Sequence, residues 1–345
     1  DFRRFGGSNI DDITALGDQV YFRTDSDSDD DGFELYTSDG TEAGTRIVKD
    51  IWFGSNNDGD PQNITAIDSL LFFSAEDSRG VEPWISNGTT AGTNILKDLY
   101  TDQDANPKNF TKVGNKVFFA ANEDNSELWV TDGTAANTTS IIDINSSSFN
   151  RQLENFTAGD GILYFSANTG DARRELWRSD GTTEGTYMVK DINPGSGGSI
   201  DTDVEWLYFN GRLYLTASDG INGIELLVSD GTEEGTQLVD INEGSFNSTP
   251  KFFTVLNNEI YFRAFTSSTG TELYKYRPTN APPPVSKISG IVYQFNPDNT
   301  NDQSQRLEGV TVTNTFTSAT TTTNANGEYE IEAEDGHQVR FTKDG

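Results

Sequence analysis

One phrase organises this chain: Glu-Leu-aromatic-x-Ser-Asp-Gly-Thr-x-x-Gly-Thr, followed by an apolar run closing on Asp-Ile, recurs six times at intervals of 45 to 50 residues. Its opening glutamates are Glu34, Glu82, Glu127, Glu175, Glu225 and Glu272. A fixed period of this length means one supersecondary unit used repeatedly, each copy covering its apolar face with the next.

The fourth copy shows the plan of the unit. Leu153-Glu-Asn-Phe-Thr and Gly161-Ile-Leu-Tyr-Phe-Ser-Ala read as two strands joined at a Gly-Asp-Gly turn. Glu175-Leu-Trp-Arg-Ser alternates in period two, Asp180-Gly181 signals a turn, and Tyr187-Met-Val-Lys-Asp-Ile is a fourth extended run. No helical periodicity is sustained, and four-stranded units of this size pack radially, so the sequence predicts an all-β chain built as a six-bladed β-propeller of four-stranded antiparallel blades. The blades fall at about residues 6–52, 53–100, 101–145, 146–193, 194–242 and 243–280. In the last unit Pro278 and Ala281-Pro-Pro-Pro284 stand where a fourth strand would run, and proline cannot sustain a ladder. The extended segment 1–5 is expected to complete that blade, an N-terminal strand closure of the ring.

The phrase resembles the repeat of secreted bacterial surface proteins written E-L-W-x-S-D-G-T-x-x-G-T, also called hyalin-like. Glu127-Leu-Trp129 with Asp132-Gly-Thr134, and Glu175-Leu-Trp177 with Asp180-Gly-Thr182, carry the likeness over about residues 1–280. It departs locally: Pro83 replaces Leu, Leu227 the aromatic, Asn137 the Gly, and Arg277-Pro278 the Asp-Gly. Beyond a Pro-rich linker at 281–287, residues 288–345 read as a small, incomplete Greek-key β-sandwich of the Ig or prealbumin type. Asn326-Gly-Glu-Tyr329 makes this part similar to Cna-type B and carboxypeptidase-regulatory-like domains. Both resemblances imply an extracellular or cell-surface, secreted protein with a structural or adhesive role, and neither brings catalytic residues.

Composition narrows the partners. With 24 basic against 55 acidic residues and a formal charge of -31, the chain repels phosphate backbones and anionic lipid, so nucleic acid is excluded as a partner and membrane insertion is not expected. Zero cysteines exclude disulfides and thiolate chemistry. The only histidine, His337, lies in the second module, which leaves no Ser-His-Asp set in the propeller.

Candidate site residues come from three patterns. Asp27-x-Asp29-x-Asp31-Gly32, with Asp25 before it and Glu34 after it, has the carboxylate spacing of a calcium loop; a solvated acidic loop fits it equally. The recurrent Asp50, Asp98, Asp143, Asp191 and Asp240 read either as a cation-binding ring or as strand-end caps. Seven Asn-x-Ser/Thr sequons, at Asn63, Asn87, Asn109, Asn137, Asn145, Asn155 and Asn247, are formal glycosylation acceptors. The functional expectation is a non-catalytic extracellular structural or adhesive protein, partnered with itself, with surface or matrix components or with glycans. In that reading, strand donation to the C-terminal sandwich would assemble it head to tail. The alternative is a carbohydrate-binding or carbohydrate-active propeller, a lectin, glycosidase or lyase.

Overall fold

The computed structural model describes residues 10–25, 32–54, 57–101, 103–122, 127–142, 152–168, 174–195, 197–201, 204–277, 287–292, 306–314, 320–332 and 339–343. The chain divides into two compact units, Asp1–Tyr276 and Arg277–Gly345.

The first unit is a β-propeller of six antiparallel sheets in sequence order, each a simple meander. Blade 1 comprises Asp11–Leu16, Gln19–Asp25, Phe33–Ser38 and Arg46–Lys49. Blade 2 comprises Gln62–Ile67, Leu70–Asp77, Gly80–Ser86 and Asn94–Ile95. Blade 3 runs through Lys108–Val113, Lys116–Ala121, Glu127–Thr131 and Thr139–Ile142, and blade 4 through Glu154–Gly159, Ile162–Asn168, Arg174–Ser179 and Tyr187–Lys190. Blade 5 has Leu207–Phe209, Arg212–Ser218, Ile224–Ser229 and Gln237–Val239. Blade 6 has three described strands, Lys251–Leu256, Glu259–Thr266 and Gly270–Tyr276. Residues 1–5, expected to supply its fourth, lie outside the described residues. First strands of successive blades touch one another, which places them innermost, around the axis.

Alternation along the second and third strands gives each blade two apolar flanks, and five clusters join the blades in order. Tyr21 and Leu35 of blade 1 meet Leu71, Phe73 and Trp84 of blade 2. Phe72 and Ile85 then meet Val117, Phe119 and Trp129, and Phe118, Leu128 and Val130 meet Leu163, Phe165 and Trp177. Tyr164 and Leu176 pack on Leu213, Leu215 and Leu227, and Tyr214, Leu226 and Val228 on Ile260 and Phe262. The repeat tryptophans Trp84, Trp129 and Trp177 therefore pack between blades. Lys49 and Lys97 strengthen the seams: each ammonium lies over the next blade's tryptophan and donates to a carbonyl, Thr93 O at 2.7 Å and Thr138 O at 2.6 Å.

The second unit is a small β-sandwich. Lys287–Ile291 pairs with Glu328–Glu332, while Thr311–Asn314 lies between Thr320–Thr322 and Val339–Thr342. Buried Val310, Val312 and Ile331 and an edge-on contact of Tyr329 with Phe341 at 5.3 Å form its core.

Candidate functional site

The repeated glutamate is a buried staple. Glu34 accepts the amides of Ile51 (2.8 Å) and Gly59 (3.0 Å), tying the end of its blade to the crossing into the next. Glu82 takes Leu99 N, Glu175 takes Ile192 N and the Ser199 hydroxyl, and Glu225 takes the amides of Ile241 and Ser248. Burial outweighs these donors and pushes the Glu34 carboxyl up to about 8 and that of Glu82 to about 7. Glu34, read from sequence as a calcium ligand, has both oxygens committed to backbone amides instead. Asp27, Asp29 and Asp31 lie outside the described residues, and Asp25 ends the second strand of blade 1. Among the described residues no group of three or more His, Cys, Asp or Glu could hold a metal ion.

The Ser-Asp-Gly-Thr segment is a turn that satisfies itself. Asp180 Oδ1 accepts both the amide and the hydroxyl of Thr182, at 2.8 and 2.7 Å, while Ser179 and Thr186 share a 2.7 Å bond. These bonds hold the Asp180 carboxyl below its usual range. A Cβ at Gly185 would stand 2.1 Å from Asp180 Oδ1, so a side chain there would have to displace that carboxylate. In unit three, Asn137 replaces that glycine and donates its amide to Asp132 Oδ2 at 2.7 Å.

Innermost strands open on a bulge with paired left-handed residues three apart: Asp60 and Asn63, Asn106 and Asn109, Gln152 and Asn155, Thr249 and Phe252. Asparagine tolerates this region well. Thr65, Thr111 and Thr157 donate back to the carbonyls of Asn63, Asn109 and Asn155 at 3.0, 3.0 and 3.1 Å. The amide nitrogens of Asn109 and Asn155 reach Leu153 O and Val204 O in the next blade, both at 3.1 Å. The structure thus gives the Asn-x-Thr of three sequons an architectural task. Asn87, Asn137 and Asn247 are exposed, and Asn145 lies outside the described residues.

The recurrent aspartates follow the outermost strands, so Asp50, Asp98, Asp191 and Asp240 sit away from the axis; Asp240 accepts Gly244 N at 3.1 Å, and Asp143 lies outside the described residues. The loop residues Asp58, Asp104 and Asn247 share another task. They accept the amides of Phe33, Val81 and Ile224, at 3.0, 3.0 and 2.9 Å, each one residue before a repeat glutamate.

Beside the inner bulges, between blades 2 and 3, lies a cavity of about 240 Å³, whose walls include Asp60, Ser74, Glu76, Val81, Asn106 and Asn122. Its blade 4 counterpart is filled by the chain itself. Arg174, in the register of Val81, is 8% exposed and donates to Gln152 Oε1 (2.6 Å) and Ser166 Oγ (3.2 Å), the counterparts of Asp60 and Ser74. In blade 1 the guanidinium of Arg23 bonds Asp60 itself. Valine at position 81 leaves in blade 2 the space a guanidinium takes in blade 4. Burial, then Asp104, Asp60 and Asp58, raise the Glu76 carboxyl above its usual range. Its carboxylate accepts no hydrogen bond from another described residue, while Lys108, on the same wall, is engaged by Glu154 at 2.9 Å. Sequence reasoning missed this place; the residue before the repeat glutamate varies from Phe33 through Val81, Ser126 and Arg174 to Ile224 and Thr271, so no pattern in that column marked it.

No protein-family model and no curated protein matches the sequence. Solved structures similar to the chain include one from a study of two prolyl endopeptidases, at 11% identity and a TM-score of 0.44, covering 88% of this chain and 46% of that one. A puromycin-hydrolysing peptidase of Mycobacterium tuberculosis is 12% identical with a TM-score of 0.38, covering 89% and 58% of the two chains. A puromycin hydrolase mutant is 12% identical with a TM-score of 0.33, covering 90% and 59%. The chain spans about half the length of the structures it matches. The sequence analysis expected a non-catalytic structural or adhesive protein, or else a lectin, glycosidase or lyase; the similar solved structures are peptidases instead.

Proposed function

We propose that the propeller binds a peptide by lodging an arginine or lysine side chain in the blade 2 cavity, as the binding part of a hydrolytic protein that acts on peptides. One observation carries the reading: Arg174 fills the equivalent space in blade 4, which supports a guanidinium as the group the blade 2 cavity takes. Glu76 supplies the charge such a group needs, in surroundings where Asp58, Asp60 and Asp104 add to the negative potential. A guanidinium pairs with a carboxylate through two parallel bonds, so arginine is favoured over lysine.

The test is fluorescence anisotropy with labelled peptides that carry either arginine or its uncharged isostere citrulline. Arginine peptides are expected to bind at least about tenfold more tightly, and Glu76→Gln to remove that preference. Val81→Arg is expected to fill the cavity from within, abolishing binding while leaving the fold intact. Equal binding of the two peptides, or undiminished binding by Val81→Arg, refutes the reading. The same peptides are assayed for cleavage by mass spectrometry, which tests the hydrolytic part separately.

A further inference from the structure

A second cavity, of about 400 Å³, opens on the axis, and its walls include Asp12, Asn63, Thr65, Asn109, Thr111 and Asn155 from the innermost strands of blades 1 to 4. Asn63 also lines the blade 2 cavity, so the two spaces adjoin at one side chain. The four strands contribute the same position. Asp12, Asn63, Asn109 and Asn155 all sit in the left-handed region, at φ 53°, 57°, 62° and 58°, each two residues before a threonine.

The side-chain hydrogens of this wall are spent on the blades. Asn109 Nδ2 donates to Leu153 O (3.1 Å) and Glu154 Oε2 (3.4 Å), and Asn63 Nδ2 to Ser74 Oγ (3.4 Å) and Pro107 O (3.5 Å). Thr65 and Thr111 give theirs to the carbonyls of Asn63 and Asn109. Oxygen atoms are left. Asn63 Oδ1 and Asn109 Oδ1 accept no hydrogen bond from a described residue, whereas Asn155 Oδ1 takes the Ser166 hydroxyl at 2.9 Å. One carboxylate oxygen of Asp12 accepts Asn63 N at 2.8 Å, and the other accepts nothing from a described residue. Among the described residues no basic side chain lines the cavity: Arg23 is held by Asp11 and Asp60, and Lys108 by Glu154.

A wall of acceptors with one negative charge fits a group that has only donors. A primary ammonium is such a group, with three N–H donors, a positive charge and no acceptor. We infer that the axial cavity takes the α-ammonium of a peptide's free N-terminus, held by Asp12 and the side-chain oxygens of Asn63 and Asn109. This rests on the reading in which an arginine of the same peptide fills the blade 2 cavity. Because the spaces adjoin at one side chain, that arginine belongs to the first three residues, roughly 10 Å of extended chain. The ligand is then a peptide end that carries two cations, and an arginine far inside a long chain does not satisfy both spaces.

The test is fluorescence anisotropy with alanine-based hexapeptides labelled at the C-terminus. Arginine or citrulline stands at position 1, 2 or 3, and the N-terminus is free or acetylated. Acetylation is expected to weaken the arginine peptide by at least about fivefold at the preferred position, and Asp12→Asn to reduce that effect below about twofold. This substitution keeps an acceptor for Asn63 N and places in blade 1 the residue found in blades 2 to 4, in a backbone region asparagine tolerates. The preference for arginine over citrulline is expected to survive it. Equal binding of free and acetylated peptides at all three positions overturns the inference while an arginine preference stands. Equal binding of arginine and citrulline peptides, with the acetylation effect intact, overturns the blade 2 reading and leaves the ammonium site. An acetylation effect undiminished in Asp12→Asn places the ammonium elsewhere, and loss of the arginine preference in that variant means that Asp12 acts through Asn63 on the neighbouring cavity. Either result overturns the inference, and binding of none of the peptides overturns both readings.

Discussion

The repeat glutamate shows how far a residue's type can mislead about its task. Acidic and set beside an aspartate-rich loop, Glu34 invites a metal; buried against two backbone amides, it is a fastener. Its partners stand 17 and 25 positions away, so no local pattern announced them. The sign of its pH effect follows from the raised value. A carboxyl that titrates near 4.5 unfolded and about 8 folded adds stability that is fully present below pH 4.5 and is lost as pH rises through 8. Glu82, near 7, acts in the same direction at lower pH. The melting temperature of wild type is therefore expected to decline from pH 5 to pH 9. Glu34→Gln should start lower, because an amide cannot accept two N–H groups with both ends, and should decline less. A wild-type-to-variant gap that stays constant across this range would show that Glu34 does not titrate there.

Among the elements, the outer three strands of each blade were legible and the start of the innermost strand was not. Period-two alternation and the Asp-Gly turn are local signals, and the self-contained bonding of Ser179, Asp180, Thr182 and Thr186 explains why they could be read from sequence. The inner strand instead begins on a bulge whose left-handed asparagines bond to the neighbouring blade, so its Asn-x-Thr spelling looked like a glycan acceptor. Asn109→Ala should cost about 2–3 kcal/mol by denaturant unfolding, combining backbone strain with an unsatisfied Leu153 carbonyl. Asn109→Gly keeps the left-handed conformation (φ 62° in the native residue) and should cost less. Equal costs for the two variants would remove the backbone from the explanation.

At the scale of the whole molecule, the two compact units should unfold separately, since each carries its own apolar core. All five tryptophans precede Tyr276, so tryptophan fluorescence reports the propeller alone, whereas calorimetry sees both units. Two calorimetric transitions are expected, only one of them accompanied by a fluorescence change; a single coincident transition would mean that the units unfold as one. By itself the sequence determined the all-β class, the meander of each blade and the number of repeats, because strand period and turn bonding act between residues close in the chain. Tertiary structure alone decided that the glutamates are staples and that Val81 leaves a cavity where Arg174 fills one. Those properties belong to blade junctions, where the partners lie dozens of residues apart or a whole unit away, and only the packed ring brings them face to face.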